Sequence, residues 1–181
     1  MDKTVQKPMS STLSNKVVNL RPIVYADLDM LIKWKNTEEV YRYLGGGFHP
    51  ISKDQYGKWL ENIVDMTGNA RRFIIETIEG VSIGMVGLYS INWLHRTCEI
   101  GVFIGEESER GKGYATMACK MIEEYAKNCM NMRKIRLLVV KENEQAVKMW
   151  KKLNYLLIGE YSRERFINGH WCDVLIMEKF L

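Results

Sequence analysis

The sequence predicts an α/β domain of the α+β type, a mixed sheet of about seven strands with helices on both faces. Three observations carry that expectation. The spacing of apolar residues alternates along the chain between the two-residue repeat of strands and the three-to-four-residue repeat of helices. The elements this yields run β-α-α-α-β-β-β-α-β-α-β-β, an order that places helical layers against a central sheet. The chain has 181 residues, 46% hydrophobic and 27% charged, which suffices for one domain with a substantial core.

The first strand is expected over residues 17–23 (VVNLRPI), closed by Pro22. From Ala26, Leu28, Leu31, Ile32 and Trp34 fall at helical spacing to about Asn36, and a short second helix is expected over 38–44. Gly45, Gly46 and Gly47 with Pro50 break any regular element. Ser52, with Gln55 three residues on, caps a third helix whose apolar face is Tyr56, Trp59, Leu60, Ile63 and Val64. Strands over 72–78 and 81–91 are joined at Glu79-Gly80, and a third covers 97–104. Ala115, Ala118, Cys119, Ile122, Tyr125, Ala126 and Cys129 then mark a core-facing helix of about four turns. A β-rich run (133–140), a helix (144–153) and two strands (155–166 and 170–180) across Asn168-Gly169 complete the chain.

Composition excludes several classes of function. The net charge of +4 arises from 26 basic and 22 acidic residues with no dense cationic block, so nothing in it argues for nucleic acid. Cys98, Cys119, Cys129 and Cys172 form no CxxC pair and no ligand spacing with a histidine, so they are expected reduced, with no metal. No apolar run approaches the ~18 residues that cross a bilayer. Residues 1–16 are polar and lack the apolar region of a secretory signal, and are expected to form a disordered tail ahead of a single domain at 17–181. The expected location is cytoplasmic.

The motif that organises the chain lies at 100–114. A strand-like run is broken by Gly105 and an acidic turn, and Arg110, Gly111, Lys112 and Gly113 follow directly before the helix that starts near Tyr114. The first N–H groups of a helix have no internal partners and carry the positive end of its dipole. Glycines let the backbone approach a phosphate closely, and Arg110 and Lys112 add cations. This is an anion site.

Arg110-Gly111-Lys112-Gly113-Tyr114-Ala115 matches the acyl-CoA signature Gln/Arg-x-x-Gly-x-Gly/Ala, and in this setting the chain resembles the GCN5-related N-acetyltransferases (GNAT). Asn143 and Ala146 match a second family segment, with Asn154-Tyr155 standing where Gly-Phe is usual. Leu20-Arg21-Pro22, Trp34-Lys35-Asn36 and Asn168-Gly169 with Asp173 and Met177 are similar to the branch holding ribosomal-protein alanine, spermidine and amino-sugar-nucleotide acetyltransferases. The resemblance implies a largely antiparallel sheet and acetyl-CoA as co-substrate. It places the pyrophosphate on Gly111, Gly113, Tyr114 and Ala115, and the pantetheine arm along Ile100, Val102 and Phe103, with Asn143 on its other side.

Transfer to an amine of pKa ~10.4 requires removal of a proton, a penalty of about 4–5 kcal/mol at pH 7. Glu99, at the start of the motif strand, is the candidate base; a solvated strand glutamate is its competing reading, and His95 is a second candidate base. The resemblance implies a tyrosine acid for the leaving thiolate, but the matching position is Trp150, with Tyr155 and Tyr161 as alternative donors. A thiol of pKa ~8.5 needs at most about 2 kcal/mol of such help, so the departure is survivable. Acceptor contacts are expected from Trp34, Phe48, His49, Trp93 and Arg163. The expected acceptor is a small amine (a polyamine or amino-sugar nucleotide) or a peptide N-terminus, and a homodimer is the expected assembly. The competing readings are an acyl-CoA-binding regulatory module without turnover and an RNA-directed acetyltransferase.

Overall fold

The structure, a computed structural model, describes residues 13–66 and 68–181. Seven strands form one sheet in the order β1-β2-β3-β4-β5-β7-β6, where β1 is Val18–Pro22, β2 Arg71–Thr77, β3 Ser82–Asn92, β4 Thr97–Ile104, β5 Lys134–Val140, β6 Leu156–Ile167 and β7 His170–Phe180. Every neighbouring pair is antiparallel except β4 with β5. Helices α1 (Leu28–Lys35), α2 (Glu38–Tyr41) and α3 (Lys53–Glu61) cover one face, burying Leu31, Trp34, Tyr56 and Leu60 against Ile74 and Met85. Helices α4 (Tyr114–Asn128) and α5 (Glu144–Lys152) cover the other, where Ala118, Ile122, Trp150 and Leu153 meet Phe73, Leu88, Ile100 and Leu137. The expected element order holds throughout, with boundaries moved by one to three residues. The first helical segment opens as a 3₁₀ turn (Tyr25–Asp27) before α1, and α2 is a single turn that ends at Tyr41 rather than near Leu44.

Local chemistry explains most junctions. Gln55 N donates to Ser52 Oγ at 3.2 Å, the forward half of the expected cap on α3. Asn168 (φ +48°) and Gly169 (φ +84°) supply the two left-handed positions that a tight β6–β7 hairpin needs. Arg21 on β1 binds Asp27 through both terminal nitrogens at 2.8 Å and Glu76 through Nε at 2.6 Å, tying β1, the 3₁₀ turn and β2 together. Of the expected N-terminal tail, residues 1–12 lie outside the described residues, but 13–16 fold back on the sheet. Asn15 Oδ1 accepts from Val17 N and Val18 N, and Leu20 N donates to Leu13 O at 2.8 Å. No helix among the described residues is long and apolar enough to cross a membrane.

The parallel junction decides where a ligand can go. Strand β4 is paired along its length with β3, from Gly84↔Ile104 to Asn92↔Thr97. On its other side it pairs with β5 only at Thr97↔Lys134, Cys98↔Ile135 and Glu99↔Arg136. Beyond Glu99 the two strands part, and residues 137–140 of β5 pair as a strand with β7 alone among the described residues.

Candidate active site

The parting of β4 and β5 leaves a groove of about 520 Å³ lined by Ile100, Gly101, Val102, Phe103 and Ile104 on one side and Leu137, Leu138 and Val139 on the other. Two strand edges with unspent backbone donors and acceptors face each other across it, the condition under which an extended amide-bearing chain adds as a further strand. The arm expected along Ile100, Val102 and Phe103 fits this edge.

One end of the groove is the glycine turn. Gly111 (φ +76°) and Gly113 (φ +87°) are both left-handed, a conformation that costs other residues about 1–2 kcal/mol. Gly113 is the N-cap of α4 and offers no side-chain cap, so the helix's leading N–H groups are unmet, and Gly111, Gly113, Tyr114, Ala115 and Thr116 all line the groove. Arg110 lines it too, its guanidinium bracing the turn against the strand end through Ile104 O (3.3 Å) and Gly105 O (3.4 Å). Lys112 differs from expectation. It pairs at 3.0 Å with Glu109, a carboxylate that itself lines the groove, and is not one of the lining residues. On the opposite wall Asn143 caps α5, its Oδ1 accepting from Ala146 N at 3.3 Å, and its amide nitrogen, which has no partner among the described residues, is left for the groove.

The closed end is at Glu99, the last β4 residue paired to β5. It forms a loose, partly exposed ion pair with Arg136 at 3.7 Å and stands one residue before the groove lining begins. Trp150 is buried and forms part of the wall, edge-on to Tyr155 with ring centroids 5.1 Å apart. Tyr155 itself lies behind Trp150 in the core and does not line the groove. Burial, followed by the neighbouring Glu123 carboxylate, pushes its phenol far above the ordinary tyrosine value. Tyr161 is half exposed on β6 and also away from the groove. Neither tyrosine lines the groove.

The expected acceptor residues scatter. Trp34 is core: its indole N–H donates to Glu106 Oε1 at 2.7 Å, and a Cβ on Gly105 would sit 2.4 Å from its ring. Phe48 lines a neighbouring 410 Å³ pocket between the 44–48 loop and β6, with Arg42 and Arg165, while His49 is exposed beside it. Trp93 is half exposed in the β3–β4 turn, at the end of β4 remote from the glycine turn. Arg163 sits at a left-handed bulge of β6 (φ +53°), its backbone N donating to Asp173 Oδ1 at 3.0 Å. Of the five, Phe48 borders that cavity, and Leu44 is shared between the cavity and the groove. Glu39, which sequence reasoning passed over, is an exposed carboxylate lining the groove beside Val40 and Tyr43, with no ion pair among the described residues.

The sequence model of the acetyltransferase (GNAT) domain matches residues 18–155. The chain belongs to this family. It is an acetyl-CoA-dependent N-acetyltransferase. Spermidine N(1)-acetyltransferase of Escherichia coli strain K12 is 34% identical over 160 residues, covering 88% of this chain and 84% of that protein. The enzyme of the same name from Vibrio cholerae is 34% identical over 115 residues, 61% of this chain and 66% of that one. The crystal structure of spermidine N-acetyltransferase from Vibrio cholerae in complex with CoA and spermine superposes with a TM-score of 0.85 at 28% identity, covering 92% of this chain and 96% of that one.

Proposed function

We propose that this chain acetylates an aliphatic polyamine of the spermidine type by direct attack of the amine on the thioester. The observation that carries the reading is the closed end of the groove, where the open β4 edge stops at Glu99. An acyl arm laid along 100–103 brings its carbonyl to the one place on that edge with a carboxylate beside it. Glu99 is the base in this reading. It takes the ammonium proton before attack, at a position open enough for a water to relay it.

Direct attack fits the thiols. Burial pushes the Cys98 thiol, next to Glu99, up to about 12, with the Glu99 charge adding to it, and burial also raises Cys119 well above the ordinary thiol value. Cys172 is likewise raised by burial, and Cys129 sits at the far end of α4, about 22 Å along the helix from the glycine turn. None is activated as an acyl carrier. Trp150 shapes the wall beside the sulfur, and its indole N–H is the donor available to it.

The polyamine acceptor is supported by the names of the similar enzymes and by Glu39, which suits a second, protonated nitrogen some distance from the reacting one. A thiol-release assay with spermidine, an amino-sugar nucleotide and Ala- or Ser-starting peptides tests it. Spermidine is expected to give the highest kcat/KM, and preference for a peptide or the nucleotide sugar would overturn the acceptor. Release with no acceptor dependence would overturn the transfer itself.

We also propose self-assembly through β6. This edge strand exposes Leu156, Leu157 and Ile158, and Phe166 with Trp171 of β7 extend the patch, each more than half exposed. The Vibrio cholerae enzyme has been solved as a dodecamer. Light scattering should show an oligomer that Ile158→Lys reduces in mass; an unchanged mass would remove β6 from the interface.

A further inference from the structure

The start of β7 and the β5–α5 loop bring together three side chains that acetyl transfer does not use. His170 and Cys172, two apart on one strand, share a face, and Glu142, immediately before Asn143, meets them there. One ligand atom from each (a carboxylate oxygen, an imidazole nitrogen and the thiol sulfur) lies within 4.8 Å of the others. Glu142 Oε2 is 3.0 Å from His170 Nε2. The other ring nitrogen, Nδ1, faces Asn168 O at 3.4 Å.

We propose that Glu142, His170 and Cys172 form a binding site for a thiophilic divalent cation of the zinc type. Oxygen, nitrogen and sulfur ligands in a set of three match zinc, with a fourth tetrahedral position left for water. Bonds of about 2.0–2.3 Å in a tetrahedron place ligand atoms about 3.3–3.7 Å apart, so the set needs to close by about 1.5 Å at most. With Nδ1 keeping its proton toward the Asn168 carbonyl, Nε2 can exchange its contact with Glu142 for the ion, the usual support of a metal-bound histidine. Entry is open, because Glu142 and His170 are half exposed while Cys172, at 1% exposed, forms the floor. The expectation of no metal rests on linear spacing along the sequence, and Glu142 is 28 residues from His170.

Acetyl transfer in this family proceeds without a metal, so the ion is a clamp and not a catalyst. It would fasten β7 to the loop that carries Asn143, adjoining the small cluster of Val140, Ile167, Cys172 and Val174 packed on Tyr43 of the groove wall. Cadmium titration of the purified full chain is the test, read by the ultraviolet charge-transfer band of a cadmium–thiolate bond. The band should saturate at one ion per chain, and zinc should displace it. Cys129→Ser, which removes the exposed thiol, should leave the band intact, whereas Cys172→Ser should abolish it. His170→Ala, an exposed site whose loss leaves the core untouched, should raise the cadmium Kd at least tenfold. A band that survives Cys172→Ser, that vanishes with Cys129→Ser, or that ignores His170→Ala would overturn the site.

Discussion

Gly113→Val separates the conformational role of the glycine turn from its chemical one. At φ +87° a side chain costs about 1–2 kcal/mol, and a β-branched one more. In a chain of this length each kcal/mol lowers Tm by about 2–4 °C. The new Cβ meets no protein atom closer than Met117 Cε at 3.7 Å, so packing adds nothing to that cost. The valine methyls instead occupy the space in front of the free N–H groups of α4. Each charge-assisted hydrogen bond lost there is worth about 1.5–3 kcal/mol, and losing one or two raises the Kd for acetyl-CoA by about 100-fold. Gly80→Val is the matched control. Its φ is +83°, a Cβ there meets nothing within 4 Å, and it lies in the β2–β3 turn. Calorimetric titration with acetyl-CoA beside thermal unfolding reads both quantities. Similar Tm losses with a binding defect confined to Gly113→Val are expected. Unchanged affinity in a folded Gly113→Val protein would remove the phosphate cradle, and an equal defect in Gly80→Val would show that the loss is mere destabilisation.

Three further outcomes follow from particular side chains. Glu99→Gln should lower kcat by about 10²-fold near pH 7 and progressively less at alkaline pH, where the amine deprotonates unaided; a pH–rate profile parallel to the parent's would end its role as base. Trp150→Phe should reduce kcat by no more than about 30-fold, because protonating the thiolate is worth about 2 kcal/mol; a larger loss measured on folded protein would mean the indole does more than donate to sulfur. Glu106, whose carboxyl is held below its usual value of 4.5 by hydrogen bonds from Lys33 and then Trp34, contributes stability above that pH that fades as pH falls through its folded value. Glu106→Gln should therefore flatten the acid limb of denaturant-measured stability, and an unaltered limb would contradict the linkage.

How far the sequence could be read depended on whether a feature was local. The glycine turn was legible because strand, left-handed glycines and helix start are consecutive in the chain, and anion binding uses those backbone groups directly. Asn143 was legible for the same reason, as a cap three residues before Ala146. Trp34 was not. It is the single aromatic of α1 and was expected at the acceptor, but its partner, Glu106, lies 72 residues away. Trp93 and Arg163 were chosen for chemistry without knowledge of which end of the sheet, or which side of a bulge, they occupy. Glu39 was hidden because its neighbour Glu38 forms the usual (i, i+4) pair with Arg42, which makes the whole turn look like solvated surface.

The separation of β4 from β5 has a mechanical consequence. Strands β1–β4 and β5–β7 are two half-sheets joined edge to edge by three residue pairs, with a seam open beyond them. A pantetheine arm lying in that seam is mortar as well as reactant, since it supplies the cross-ties that the polypeptide omits. The enzyme is then most cohesive while loaded and loosens along one defined line each time coenzyme A departs. Amide hydrogen exchange should register this as protection gained at residues 100–103 and 137–139 when acetyl-CoA binds; exchange indifferent to the ligand there would mean the halves are held by their helices alone.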